Sequence, residues 1–218
     1  MTEPLDPVSR LAQHPTSIVS DALDELGVRG VLPYIPAQRG GQGRVVGLAL
    51  PARFEPKSND PSAYRFGGGV GKALEHVLKT MRDGDIVVMD LGGTTRAAAW
   101  GGLASRLAQR RGVRGTVMWG ACRDVEEIRA IGYPVWAVAT CPRRSRNEFT
   151  FGWINEPVTI GDVVVAPKDF ILADETGVVC VPRARIDEVL ALADRIAAQE
   201  ARLEAQVAND AVASWDQV

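Results

Sequence analysis

The chain has 218 residues, a length that allows one large core without support from metals or disulfides. Charged residues make up 24% and the formal net charge is -2, which argues against a disordered chain and against a surface built to neutralise nucleic-acid phosphates. No apolar stretch reaches the roughly 20 residues of a membrane-spanning helix, and the segment MTEPLDPVSR lacks a basic-then-apolar leader, so we expect a cytoplasmic protein without nucleic-acid or membrane partners.

The first half of the chain predicts two pairs of a helix and a strand. Hydroxyl residues followed by apolar residues at helical spacing predict a helix over 17–26. The β-favouring run 44–54 predicts a bent strand. A turn at Gly67–Gly69 leads into a helix predicted over 70–81, and the apolar run 86–90 predicts a buried strand.

The same alternation continues through the middle of the chain. Helices are predicted at about 101–111 and 124–131, and strands at 115–119 and 134–138. Apolar strands that alternate with short helices are typical of a parallel α/β core.

Beyond Pro142 the pattern changes to short β segments, which predict antiparallel or mixed structure. A single long helix is predicted over 183–206. Because no linker or repeat interrupts the chain, we predict one α/β domain over 1–218. The short segments are 157–160, 162–166, 170–174 and 177–181.

Ligands of open α/β sheets bind at the carboxyl ends of the strands, so the loops after Asp90, Trp119 and Val138 are the candidate sites. After the first of these strands, Gly101 and Gly102 begin a helix. The bare N–H groups of such a helix start can hold a carboxylate or a phosphate. The alternative is that the glycines only form a tight turn.

The second loop contains Arg123 and Asp124 side by side. An arginine can bind a carboxylate or enolate oxygen while an aspartate binds a divalent metal. The alternative is that Asp124 caps the following helix and Arg123 is solvated. Cys122 could act as a nucleophile, but neither histidine is near it in sequence, and a buried inert thiol is the commoner case.

Two further charged segments are weaker candidates. Arg143, Arg144 and Arg146 form a basic cluster that could bind an anion or a partner, or form a solvated patch. Glu200 lies among charged residues of the last helix, which ordinarily indicates an exposed face.

Cysteine and histidine usage limits the possible metal chemistry. Cys122, Cys141 and Cys180 are far apart and odd in number, which predicts reduced thiols. With His14 and His76 as the two histidines, a His-rich centre within one chain is excluded, and oxygen ligands would have to hold a metal.

A series of motifs in a fixed order resembles the RraA-like family over about residues 16–200. That family includes 4-hydroxy-4-methyl-2-oxoglutarate / 4-carboxy-4-hydroxy-2-oxoadipate aldolases and proteins like regulator of ribonuclease activity A. The motifs are VSDALD at 19–24, GDIVV at 84–88, WGGLA at 100–104, GACRD at 120–124, YPVWA at 133–137, PV at 157–158 and ADETGVV at 173–179.

The resemblance implies a swivelling β/β/α fold assembled as a homotrimer or a pair of trimers, with the site between subunits. It implies that the backbone amides of Gly101, Gly102, Leu103 and Ala104 hold the carboxylate of a pyruvate-like group. Arg123 would bind the same group and steady its enolate, and Asp124 would be the direct protein ligand of the metal. Glu200 matches loosely an acidic residue that reaches a neighbouring subunit's metal waters.

The implied reaction is the cleavage of a 4-hydroxy-2-oxo acid to release pyruvate through a metal-stabilised enolate, as in class II aldolases. One carboxylate plus waters suits Mg2+, with Mn2+ or another divalent cation as alternatives. The same enolate arises from oxaloacetate, so oxaloacetate decarboxylase activity is an expected companion.

Two positions depart from the pattern of the family's aldolases. Gly102 replaces a common acidic residue, and Lys168 stands in Pro167-Lys168-Asp169 where Pro-Gly-Asp is common. These departures, together with the Arg143–Asn147 segment, leave two alternatives open: a lyase for a different keto acid, and a non-catalytic regulator that binds an RNA-degrading enzyme. Because such regulators can lack the metal-binding aspartate, Asp124 favours the enzyme.

Overall fold

The computed structural model describes residues 6–57, 70–145 and 148–208, with the backbone alone for 70–73. The predicted turn at Gly67–Gly69 lies outside these ranges. In the described ranges no helix is long and apolar enough to cross a membrane. The helices are α1 (Pro7–Leu11), α2 (Thr16–Glu25), α3 (Val70–Thr80), α4 (Gly102–Arg110), α5 (Val125–Ala130) and α6 (Ile186–Ala208), the last preceded by a 3-10 turn at Arg183–Arg185.

Within the described residues, ten strands form one large mixed sheet and a separate two-stranded sheet. The large sheet has the order β1-β10-β9-β2-β3-β4-β5, and β6 pairs with the far half of β2. The strands are β1 (Val31–Leu32), β2 (Val45–Pro56), β3 (Asp85–Trp100), β4 (Gly115–Cys122), β5 (Val135–Thr140), β6 (Phe149–Ile154), β7 (Val158–Ile160), β8 (Val163–Val165), β9 (Phe170–Ala173) and β10 (Val178–Val181).

The predicted α/β class is confirmed. The neighbours β2, β3, β4 and β5 pair in parallel, whereas β9, β10, β1 and β6 add antiparallel pairs. The parallel strands are the ones separated by helices in the sequence, as crossover connections require. The short segments of the second half form β7 to β10, and the long last helix is α6.

The sequence interpretation was wrong at one strand and missed three elements. The segment after Asp90 is not a loop, because β3 continues to Trp100 through several register shifts against β4. Gly92 and Gly93 have positive φ, which permits the bulged backbone there. The helix α1 and the strands β1 and β6 were not predicted.

Alternate residues of β3 face two different hydrophobic clusters. Val87 and Met89 pack with α3, α4 and α5 on one face, and Ile86 and Val88 pack with β7 and β8 on the other. A third cluster joins α1, α2 and α6 to the antiparallel strands. The sheet is therefore covered on both faces, and its parallel strands read as continuous apolar runs.

Candidate active site at the carboxyl ends of β3 and β4

The last residues of β3 and β4 are register partners, Trp100 with Cys122. The amide of Arg123 donates a hydrogen bond of 2.9 Å to the carbonyl of Trp100. After these residues, β3 leads into α4 and β4 leads into α5. The two predicted motifs are thus brought together, because parallel strands end at the same edge of the sheet.

The first turn of α4 is anchored from below by Trp100. Its indole Nε1 donates to Oγ of Ser105 at 2.8 Å, and that hydroxyl donates to the carbonyl of Gly101 at 3.0 Å. Trp100 is 1% exposed and Ser105 is fully buried, so water cannot compete for these hydrogen bonds. The start of α4 is therefore held in one orientation.

Asp124 precedes α5 but does not cap it. Its backbone is left-handed, with φ of 55°, and its side chain accepts no hydrogen bond from the first turn of α5. Instead Oδ2 lies 3.2 Å from the amide nitrogen of Gly102 and 3.4 Å from Nε of Arg123. The backbone conformation thus turns the carboxylate away from its own helix and toward the start of α4, which is evidence against the capping alternative.

The start of α4 keeps free hydrogen-bond donors. Gly101 provides no side-chain cap, and the amide of Gly102 donates to Asp124. In the part of the chain that the structure describes, the N–H groups of Leu103 and Ala104 have no acceptor. Together with the positive end of the helix dipole, these amides can hold an anionic group.

A cavity of about 400 Å³ opens over this helix start. Its wall includes Gly101, Leu103 and Ala104 of the predicted amide cradle together with Arg123 and Asp124. Both charged side chains are about one-third exposed, so they are accessible to a ligand while partly shielded from water. The cavity thus combines a guanidinium, a carboxylate and free amides within one concave site.

Neither Gly102 nor Glu200 lines this cavity. Gly102 is buried behind it, with its amide directed at Asp124. Glu200 is exposed on α6, a helix that contacts α1 and α2 and contributes no residue to the cavity wall. Within the single chain, Glu200 is not part of the site.

Glu127 was missed by the sequence interpretation. Its carboxylate lies against Gly102, in the space where a Cβ at position 102 would stand. Glu127 follows Asp124 by three residues and lies in the first turn of α5. This spacing was the available signal, and it becomes meaningful only once α4 is known to start beside α5.

The basic cluster of the sequence divides into residues with different surroundings. Arg143 forms an ion pair of 3.2 Å with Glu148, outside the cavity, whereas Arg144 is part of the cavity wall. Arg146 lies outside the described residues.

Cys122 is unsuited to nucleophilic chemistry. It is fully buried in the core beneath the site, and burial raises the pKa of its thiol to about 11. A thiol with this pKa is almost entirely protonated near neutral pH, whereas the thiolate is the reactive form. The interpretation of Cys122 as an inert core residue is therefore supported.

The residues present fit a divalent cation that is completed by other ligands. Among residues 6–57, 74–145 and 148–208, no group of three or more His, Cys, Asp and Glu side chains could enclose a metal. In the cavity wall, the partly exposed side chain of Asp124 offers an oxygen, Oδ1, to which those residues donate no hydrogen bond. One carboxylate plus waters and substrate oxygens is the donor set that Mg2+ prefers.

A larger cavity, of about 730 Å³, lies between the start of α2 and β10. Its wall contains Thr16, Tyr34 and Val179 among other neutral side chains, and no charged one. Size alone would favour it, but acid, base and anion-binding groups are found in the smaller cavity, where we therefore locate the candidate chemistry.

These features define an α/β protein with an anion- and metal-compatible site at the carboxyl edge of its parallel strands. The family model "RraA-like: Aldolase/RraA" matches residues 16–180, and the chain belongs to this family. The 4-hydroxy-4-methyl-2-oxoglutarate aldolase of Thermus thermophilus is 38% identical over 152 residues, which cover 69% of this chain and 84% of that protein.

Other relatives extend the comparison. Protein DlpA of Legionella pneumophila is 30% identical over 191 residues, 88% of this chain. The chain spans only 30% of the length of DlpA and 55% of the length of an uncharacterized Methanocaldococcus jannaschii relative. Among solved structures, Streptomyces coelicolor RraAS2, described as an unusual member of the RNase ES inhibitor RraA protein family, superimposes with a TM-score of 0.81 at 27% identity, covering 94% of this chain and 99% of that one. The RraA-like fold is thereby confirmed.

Proposed function

We propose that this protein is a divalent-metal-dependent lyase that releases pyruvate from a 4-hydroxy-2-oxo acid. The observation that carries the proposal is the approach of Asp124 Oδ2 to both Arg123 Nε and the amide of Gly102, beside the free amides of α4. The name of the Thermus thermophilus relative, an aldolase, supports the same reaction class.

The amides of Leu103 and Ala104 bind the carboxylate of the 2-oxo acid in this proposal. The guanidinium of Arg123 binds an oxygen of the same pyruvate group, and its partial burial strengthens that interaction relative to bulk water. Held at both points, the substrate presents the bond to be broken in a fixed orientation.

Asp124 would hold the cation, with Mg2+ preferred and Mn2+ as an alternative. When bound, such a cation supplies Lewis-acid stabilisation of negative charge on the keto oxygen. Asp124 also accepts a hydrogen bond from the amide of Gly102 and forms an ion pair with Arg123, and these contacts orient its carboxylate before a cation arrives.

The bond that breaks joins C3 and C4 of the substrate. The electron pair of that bond moves to C3 and gives the enolate of pyruvate, while the C4 hydroxyl gives its proton to a water molecule and becomes a carbonyl. Arg123 stabilises the charge that develops on the enolate oxygen. Protonation at C3 then yields pyruvate. Loss of carbon dioxide from oxaloacetate gives the same enolate, so decarboxylase activity belongs to the proposal.

An oligomer would complete the site. The cavity is open, and a homotrimer or hexamer would cover it with a neighbouring subunit. In that assembly Glu200 of one subunit would approach Asp124 of another through water, which is why we retain it as an outer contributor to the metal site.

A regulator of an RNA-degrading enzyme is the second candidate, favoured by the likeness to RraAS2. The two candidates differ in what the cavity must do. A regulator that binds through its outer surface needs neither a metal ligand at Asp124 nor free amides on α4.

The deciding experiment measures pyruvate release from 4-hydroxy-4-methyl-2-oxoglutarate and from oxaloacetate, with Mg2+, with Mn2+ and with EDTA. Wild type is compared with Asp124→Asn and with Asp21→Asn, a matched change at an exposed carboxylate of α2. We expect metal-dependent release that Asp124→Asn lowers by about 100-fold or more and Asp21→Asn leaves intact. Absence of release in wild type, or full activity in Asp124→Asn, would overturn the proposal and favour the regulator.

A further inference from the structure

The side-chain contacts of Arg144 differ from those of the nearby arginines Arg123 and Arg143. Its side chain is exposed at the wall of the cavity, and it forms no ion pair or hydrogen bond through its side chain in the described part of the chain. Its neighbour Arg143 is paired with Glu148, and Arg123 is paired with Asp124. Arg144 is therefore a cation of the cavity wall that has no anionic partner among the described residues.

The backbone holds Arg144 at this wall. The amide of Ala98, a residue of β3 that also lines the cavity, donates to the carbonyl of Arg143 at 2.9 Å, and Ala98 and Arg144 form an isolated parallel β-bridge. The next residue, Ser145, is 4% exposed and accepts a hydrogen bond of 2.9 Å from the amide of Glu148. The backbone is thus hydrogen-bonded to β3 just before Arg144 and to the amide of Glu148 just after it.

Charge counting separates two classes of substrate. The α4 amides and Arg123 can together bind one carboxylate of a substrate. A cation bound to Asp124 would neutralise the negative charge of the Asp124 side chain. Arg144 then remains as a second positive group facing the same cavity. A guanidinium is the side chain best suited to bind a further carboxylate through a forked pair of hydrogen bonds.

We propose that Arg144 is a specificity residue that binds the carboxylate carried by the substrate beyond the bond that is cleaved, and that it thereby favours dicarboxylic over monocarboxylic 2-oxo acids. This inference rests on the proposed lyase function and adds a specificity residue to it. Arg144 acts on the part of the substrate that leaves with the second product, whereas Arg123 acts on the pyruvate part.

The test compares two substrates that differ at one group. One is 4-hydroxy-4-methyl-2-oxoglutarate, and the other is 4-hydroxy-4-methyl-2-oxopentanoate, in which a methyl group replaces the distal carboxylate. The quantity measured is the ratio of kcat/KM for the two substrates. We expect Arg144→Gln to lower this ratio by about 10- to 100-fold, the range of a charge-assisted hydrogen bond. Arg144→Lys restores part of it.

Arg143→Gln is the matched control, because it removes an adjacent guanidinium whose partner is Glu148 and which lies outside the cavity wall. It should leave the ratio unchanged. Inhibition by oxalate, which resembles the pyruvate enolate, should change less than threefold in Arg144→Gln. An unchanged ratio in Arg144→Gln, or an equal loss for both substrates, would overturn the inference while leaving the lyase in place.

A binding measurement separates this inference from the proposed function. If wild type cleaves neither substrate, calorimetric titration with 2-oxoglutarate and with pyruvate in the presence of Mg2+ still tests Arg144. Arg144→Gln should weaken the binding of 2-oxoglutarate by about 10-fold or more and leave the affinity for pyruvate within about threefold of wild type. Equal effects on both ligands, or no binding of 2-oxoglutarate to wild type, would reject the inference.

Discussion

The carboxylate of Glu127 occupies the space beside Gly102 that a side chain at position 102 would need. Residue 102 is the first residue of α4, and Glu127 belongs to the neighbouring helix α5. Position 102 itself carries no side chain, and a carboxylate from α5 stands next to its backbone.

Gly102→Ala should displace Glu127. The added Cβ would also meet Cβ and Cδ of Glu127 at 3.0 Å, so the whole side chain has to move. Since Glu127 is more than half exposed and can relax, we expect a loss of about 1 kcal/mol in the free energy of unfolding, measured by urea denaturation. The loss should shrink in the Glu127→Ala background, and Gly40→Ala, at a position with open space, is the control. Strict additivity of the two changes would contradict the contact.

Cys122→Ala should retain pyruvate release. Because burial raises the pKa of this thiol to about 11, it supplies almost no thiolate at pH 7.5. We expect kcat to stay within about threefold of wild type, with a stability loss of about 1 kcal/mol from the small cavity created. In the native protein a maleimide probe should label Cys141, which is partly exposed, far faster than Cys122, as read by mass spectrometry. Rapid labelling of Cys122 with loss of activity would reverse this conclusion.

Lys168 has a left-handed backbone conformation, and its side chain forms an ion pair with a buried carboxylate. Its φ is 69°, and its Nζ lies 2.8 Å from Oδ1 of Asp85, a carboxylate that is 2% exposed. Lys168→Gly relieves the backbone but removes a partner from a buried carboxylate, so we expect a net loss of about 1–2 kcal/mol in unfolding free energy. Lys168→Ala loses the ion pair and keeps the strain, and should be about 1 kcal/mol less stable than Lys168→Gly. The reverse order in urea denaturation would show that backbone strain is not significant there.

Asp174 joins the start of α2 to the turn between β9 and β10. It accepts hydrogen bonds from the amide and hydroxyl of Thr16, at 2.9 and 2.7 Å, and from the amide of Thr176 at 2.9 Å. Burial alone would raise the pKa of this carboxyl, but the hydrogen bonds from Thr16 and Thr176 together hold the pKa below its usual value. The ionised form is thus the one that the folded protein favours.

The lowered pKa of Asp174 gives a signed dependence of stability on pH. The carboxyl of Asp174 binds a proton more readily in the unfolded chain than in the folded protein. Its contribution to the free energy of unfolding is therefore complete above its pKa in the unfolded chain, about 4, and is lost as the pH falls through its pKa in the folded protein. Asp174→Asn should lower the free energy of unfolding by about 1–3 kcal/mol at pH 7, and the difference from wild type should shrink below pH 4. Asp21→Asn on the exposed face of α2 is the control. A difference that does not change between pH 7 and pH 3 would argue against the carboxylate's charge as the cause.

The sequence by itself determined the class of fold and the two central motifs. Hydrophobic periodicity and turn residues depend on near neighbours in the chain, and for that reason α2, α4 and β7 to β10 were predictable within a few residues. The sequence also shows directly that Arg123 and Asp124 are adjacent and that glycines stand at the start of α4. Three short elements with weak local signals, α1, β1 and β6, were not predicted.

Only the tertiary structure decided which side chains share the site. The bulged extension of β3 brings Trp100 level with Cys122, and the contact of Ala98 with Arg143 brings Arg144 to the same cavity, over separations of about 20 to 45 residues. Such pairings depend on strand register and on hydrogen bonds between distant segments, which local propensity does not encode. For the same reason the place of Glu127 over Gly102 and the burial of Cys122 could be known only from the folded chain.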